Sequence, residues 1–129
     1  FEQAQPNFKR IFMYMTGYSD EDAFDEHMKT HDKLPDVAKQ LSVPHLLVAG
    51  DMDELCTPQD IENFRGNLAG SSELWLYEGI FHPMGEVSAE IYPAMADWML
   101  TTLNEGRPAG ERVTAYIEEG TTLAEHEHG

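Results

Sequence analysis

Pro44-His45-Leu46-Leu47-Val48-Ala49-Gly50, followed at once by Asp51-Met52-Asp53-Glu54, decides how the chain is read. The apolar run is bounded by Pro and Gly and is too short for an ordinary helix. Its apolar residues are consecutive rather than alternating, the pattern of a strand buried on both faces in a parallel sheet. Thr57-Pro58 then opens a helix, with Thr57 as N-cap and Pro58 at the first helical position, where a missing N–H costs nothing. Ile61, Phe64 and Leu68 give that helix its apolar face, and Gly70 closes it. A second strand is expected over Glu73–Tyr77, then a loop from Glu78 to Gly85. A long helix follows over about Ser88–Leu103, with Ile91, Met95, Trp98 and Met99 on one stripe. Strand, helix, strand, helix is a βαβα unit of an α/β sheet, with a right-handed crossover expected.

Upstream the pattern is helical. Phe8, Ile11, Phe12 and Met15 follow the spacing of an amphipathic helix, which Gly17 ends. Ser19 before Asp20, Glu21 and Asp22 reads as the N-cap of a second helix through Phe24 to about Lys29. A third, after Pro35, is expected to turn Val37, Ala38 and Leu41 inward. The apolar residues from Phe8 to Met15 read as core or as a cap over a substrate pocket. Downstream, Asn104 to Gly129 is rich in Gly and Glu, and Arg112–Ile117 reads as an edge strand or as part of a frayed tail.

The 129 residues carry 24 acidic against 8 basic side chains, a formal net charge of −16. That excludes nucleic acid and anionic membrane surfaces as partners, since both are polyanions. At 41% hydrophobic the chain can bury a core. Cys56 is the single cysteine, so an internal disulfide and a Cys-rich zinc site are both excluded. No apolar run is long enough to cross a bilayer and no signal peptide is visible, so a soluble, cytoplasmic chain is expected. Because it opens on Phe1 rather than Met, we read it as a fragment or a processed product.

Ligands of parallel sheets gather beyond the carboxyl ends of the strands. Two polar loops follow strands directly: one carries Asp51, Asp53 and Glu54, the other His82. Adjacent strands would bring an acid to an imidazole, an arrangement in which the carboxylate fixes the His tautomer and stabilises the imidazolium. Plainer readings exist for each residue. Asp53 could cap the following helix, His82 could be a turn histidine, and the acidic loop could hold Mg²⁺ if further ligands were present. Cys56 lies on the acid loop and reads as a passive thiol, Ser71 and Ser72 as turn residues. His126 and His128 alternate with Glu125 and Glu127 in a tract expected to be disordered rather than metal-binding.

These residues carry a resemblance. Gly50-x-x-Asp53-Glu54, a helix, then Tyr77-Glu78-Gly79-x-x-His82-Pro83, with Met15-Thr16-Gly17 and Asp97-Trp98 farther out, resembles the C-terminal half of an α/β-hydrolase. Within that superfamily it is similar to the esterase FrsA-like subgroup, which includes carbon–carbon bond hydrolases. The resemblance spans roughly residues 1–103. It implies an α/β fold with parallel strands and flanking helices. Residues 1–41 would hold a strand end plus a helical cap segment, 42–104 the C-terminal βαβα of the sheet, and 105–129 an acidic, flexible tail. It implies Asp53 as triad acid, with Asp51 as the competing acid, and His82 as general base in the order Ser, Asp, His. It further implies Glu2 as an extra acid/base for carbon–carbon bond cleavage. No metal and no organic cofactor is implied.

The departure is that no Gly-x-Ser-x-Gly elbow and no oxyanion loop occur in the chain. The expected partners are therefore the upstream half of the same hydrolase, on the same or a separate chain, and a small-molecule substrate; a homodimer is compatible. The competing expectation is a non-catalytic α/β module that binds a ligand or partner on a retained hydrolase scaffold.

Overall fold

The computed structural model describes residues 6–31 and 34–127. The chain divides into two compact units between Leu34 and Pro35.

In the first unit α1 spans Pro6–Thr16 and α2 spans Glu21–His31. Gly17 ends α1 in the left-handed conformation, at φ 77°. Asp20, not the expected Ser19, caps α2: its Oδ1 accepts from the Ala23 amide at 2.8 Å. The helices are tied by charge. Lys9 is the buried residue of α1, and its Nζ donates to Asp25 Oδ2 at 2.6 Å and to Glu21 Oε1 at 2.7 Å. Those hydrogen bonds, Asp25 first, push the Lys9 pKa up and keep the ammonium charged. Of the expected apolar stripe, Phe8 and Phe12 are half-buried, while Ile11 and Met15 are exposed, Met15 at 72%. α2 meets α1 with carboxylates, so the side of α1 it covers is the lysine side.

The second unit runs α3 (Leu34–Ala38), β1 (His45–Gly50), α4 (Pro58–Asn67), β2 (Ser72–Tyr77), α5 (Ser88–Glu105), β3 (Arg112–Ile117) and α6 (Leu123–Glu127). In α3 Ala38 is buried but Val37 is exposed. α4 starts as its sequence dictates, with Thr57 Oγ1 accepting from the Asp60 amide and Pro58 opening the helix. It ends before Gly70, whose missing Cβ instead makes room for the Ser42 and Val43 carbonyls.

The three strands form one parallel sheet in the order β1-β2-β3. An α/β class is thus what the sequence led us to expect. Of the two readings of residues 112–117 the edge strand holds and the flexible tail is corrected there: they pair with β2 along its whole length, and Leu123 of α6 joins the same apolar cluster. Val113, Ala115 and Ile117 alternate toward one face, and Ala115 and Ile117 are buried there. β1 also differs from expectation, being half-buried over His45–Val48. Among the described residues it is an edge strand, paired with β2 on one side only.

Register assigns the faces. Leu46, Val48, Trp75, Tyr77, Ala115 and Ile117 share one face with the α5 residues Ile91, Ala94, Met95 and Trp98 and with Leu123 of α6. Met99, expected on the buried stripe, is exposed. Glu73 pins α5 down: its carboxylate accepts from the indoles of Trp75 and Trp98, both at 2.7 Å, and pairs with Arg107 at 3.0 Å. α4 lies on the opposite face, where Arg65 is buried and donates to Ser72 Oγ, Thr114 Oγ1 and the Val113 carbonyl. With strands in chain order and helices on opposite faces, the two crossovers have opposite hands, so the usual right-handed rule holds for one of them only. Among the described residues no helix is long and apolar enough to cross a membrane.

Arg65 joins α4 to two strands, and Glu62 pairs with it at 2.7 Å. Hydrogen bonds to a charged group contribute about 1.5–3 kcal/mol each before losses elsewhere are counted. Arg65→Ala should therefore lower unfolding stability by about 2–4 kcal/mol, seen as a reduced urea midpoint at unchanged m. Arg65→Lys should recover little, because one ammonium cannot replace the fork.

Candidate functional site

β1, β2 and β3 end level, with Gly50, Tyr77 and Ile117 in register, so the loops that follow them emerge side by side at the carboxyl edge of the sheet. The loop after β1 stays close to the loop after β2. The Asp51 amide donates to the Tyr77 carbonyl at 2.9 Å and the Met52 amide to the Ile80 carbonyl at 3.2 Å. Only glycine fits at position 50, since an added Cβ would run into the Ile80 carbonyl oxygen.

Asp53 then turns back, its amide bonding to the Gly50 carbonyl at 3.3 Å. Its carboxylate is buried, with 5% of the side chain exposed. Oδ1 accepts from the amides of Leu55 at 2.8 Å and Cys56 at 2.9 Å. Oδ2 lies 3.0 Å from Nδ1 of His82, the two residues standing on the loops of adjacent strands. Burial alone would raise the Asp53 pKa. The hydrogen bonds from Cys56, His82 and Leu55 outweigh it and hold the carboxyl below its ordinary value. An ionised carboxylate has no hydrogen to give, so Nδ1 carries the proton and donates. In the tautomer this fixes, Nε2 is the acceptor. Nε2 has no hydrogen-bond partner among the described residues, and the His82 side chain is 47% exposed. A tight turn carries the ring, with the Met84 amide bonded to the Phe81 carbonyl at 2.8 Å.

The competing acid, Asp51, is committed elsewhere. Its Oδ1 accepts from the Gly79 amide at 2.8 Å and its Oδ2 from the Tyr116 hydroxyl at 3.2 Å. Glu2 lies outside the described residues. Cys56 is exposed, and desolvation of its sulphur together with Asp53 and Asp60 pushes the thiol pKa up, away from a reactive thiolate. No group of three or more His, Cys, Asp or Glu able to hold a metal ion exists among the described residues, so the Mg²⁺ reading of the acidic loop finds no ligand set there. His126 lies on α6, while His128 falls outside the described residues.

Sequence reading missed three contributors: the Leu55 and Cys56 amides, which no side-chain motif announces, and Tyr116. The last had a signal, the alternation of Val113, Ala115 and Ile117 that puts Tyr116 on the opposite face of a strand.

No protein-family model matches the chain, and neither curated proteins nor solved structures include a significant match to it.

Asp53 has a folded pKa below its unfolded one, so its contribution to stability is complete above the ordinary carboxylate range and is lost as pH falls through the depressed folded value. Urea unfolding followed from pH 7 to pH 2 should show an acid-side loss that shrinks in Asp53→Asn. Equal losses in the two chains would mean that the amides and the imidazole do not hold the carboxylate.

Proposed function

We propose that this chain supplies the acid and the base of a serine-dependent α/β-hydrolase, an esterase or acyl hydrolase acting on a small molecule. The observation that carries the reading is the buried carboxylate of Asp53 on Nδ1 of a half-exposed His82, both at the carboxyl ends of neighbouring parallel strands. In this reading His82 Nε2 takes the proton of a Ser hydroxyl as that oxygen attacks the substrate carbonyl. It returns the proton to the leaving group, and an acyl-enzyme forms. Water then attacks the acyl carbon and gives its proton to Nε2, which passes it to the Ser oxygen as the acyl–oxygen bond breaks and the acid product leaves. Asp53 orients the ring and stabilises the imidazolium at each stage. The Ser belongs to a polypeptide outside these residues, because the chain has no Gly-x-Ser-x-Gly elbow. The similarity to carbon–carbon bond hydrolases makes Glu2 the residue to test for that chemistry.

A surface left unpaired among the described residues supports the need for a further half. His45 and Asp51 donate to β2, so the intervening alternate amides of β1, those of Leu46 and Val48, point to the edge that no described strand pairs with. On α5, Tyr92, Met99 and Leu103 are exposed, Leu103 at 81%. By helical spacing they lie away from Glu90, which accepts from the Leu123 amide on the β3–α6 side. The stripe and that edge therefore lie toward the same side of the sheet, as they would if another strand and helix packed there.

The test uses a preparation containing every polypeptide that accompanies this chain in its source. A fluorophosphonate should label a Ser outside residues 1–129, and His82→Ala should abolish labelling and lower kcat by about 10⁴-fold or more. Asp53→Asn should lower it far more than Asp51→Asn. Hydrolysis that survives His82→Ala would remove the reading and leave the non-catalytic binding module in its place. In hydrogen exchange, the Leu46 and Val48 amides should exchange faster than those of Leu47 and Ala49 in the chain alone, and should become protected when the Ser-bearing half is bound.

A further inference from the structure

We propose that Tyr116 and Asp51 are positioning residues for the Asp53–His82 pair, forming a brace that lets the strand β3 hold the two loops at a fixed separation. The brace is a single carboxylate with two donors. Asp51 sits two residues before Asp53, and its Oδ1 takes the amide of Gly79, three residues before His82. Its Oδ2 takes the hydroxyl of Tyr116, one residue before the end of β3. The loop after β1, the loop after β2 and the last turn of β3 thus meet on one side chain.

The geometry is consistent with strand pairing. Asp51 continues the α4-face alternation of Leu47 and Ala49, and Tyr116 in β3 continues that of Thr114, so both side chains stand on the same face of the sheet. A second link runs parallel to the first: Glu78 Oε2 accepts from the Glu119 amide at 3.0 Å, joining the His82 loop to the turn after β3. The Tyr116 hydroxyl is kept protonated, and so kept a donor, by its desolvation and by the carboxylates of Asp51 and Glu78, all of which push its pKa up. Gly79 has φ 71°, a backbone conformation that suits glycine, and in that conformation its amide donates to Asp51. Neither Tyr116 nor Asp51 touches the imidazole. Their effect reaches it through the spacing of the loops, and a shift of a few tenths of an ångström changes a bond that is 3.0 Å long.

The catalytic consequence rests on the hydrolase reading; the positional one does not, and the two are measured separately. In the full chain uniformly labelled with ¹⁵N, the Nδ1 hydrogen of His82 and the amide of Gly79 are followed by NMR exchange with solvent. Tyr116→Phe and Asp51→Ala should each speed both exchanges by about threefold or more, as expected for loss of one hydrogen bond. Asp51→Asn, which keeps an oxygen for the Gly79 amide, should restore part of the protection. The core amide of Leu74 should be unchanged in all three. In the complete hydrolase Tyr116→Phe should lower kcat about three- to tenfold at unchanged KM. Unchanged exchange at His82 and Gly79 overturns the brace, and so does a rise at Leu74 that matches theirs, since that is general loosening. If the ring hydrogen responds while hydrolysis survives His82→Ala, the brace stands and the hydrolase reading falls.

Discussion

Burying an ionised carboxylate costs several kcal/mol unless hydrogen bonds replace the water it loses, and the loop after β1 is organised around that requirement at Asp53. The two amides that satisfy Oδ1 belong to Leu55 and Cys56, the residues that lead into the Thr57 cap of α4. The same backbone turn therefore places the carboxylate and launches the helix. Oδ2 is left for the neighbouring loop, and His82 fills it. A change that opens this turn would loosen both the start of α4 and the pair at the sheet's edge, so the site and the fold share hydrogen bonds instead of merely adjoining one another.

β3 alters how the sheet works. It makes β2 a central strand, buried on the α5 face by Trp75 and Tyr77 and on the α4 face by Leu74. It also sets α4 and α5 on opposite faces of strands that run in chain order, a topology that forces crossovers of opposite hand. Strong local ties accompany that arrangement. Glu73 gathers two indoles and Arg107 beneath α5. On the other face Arg65 and Arg112 lock the end of α4 to β2 and β3, Arg112 by donating to the Arg65, Gly66 and Leu68 carbonyls at the helix end. Glu90, bonded to both the Tyr77 hydroxyl and the Leu123 amide, completes the attachment of α6.

Features set by local chemistry were legible in the sequence. Thr57-Pro58 announces a helix start because capping is decided within four residues. The short apolar runs at Pro44–Gly50 and Glu73–Tyr77 announce strands because they are too short for an ordinary helix and are bounded by turn residues. The loops carrying Asp53 and His82 could be brought together on paper because both follow neighbouring strands. What failed depended on partners distant in sequence. Ile11 and Met15 carry a helical stripe, but nothing local reveals that α2 would meet α1 through Lys9 and two carboxylates. Met99 sits at the margin of a stripe whose width is set by the sheet beneath it. Arg112–Ile117 alternates as a strand should, yet its Gly- and Glu-rich surroundings pull the reading toward a tail, and only pairing with β2 decides it.

The choice between two aspartates in one short loop also follows from pairing. Asp51 still belongs to the strand in its backbone: its amide bonds to Tyr77, and its side chain keeps the face that the alternation assigns, toward Gly79 and Tyr116. At Met52 the partner shifts to Ile80, and at Asp53 the amide folds back on Gly50. Asp53 is therefore the first acidic residue released from the ladder, and its side chain is no longer bound to the sheet's alternation. It can turn under the loop, where amides rather than water solvate one oxygen and the imidazole takes the other. Composition treats the two carboxylates as equals. The end of a hydrogen-bonded ladder makes one of them a strut and the other a partner for His82.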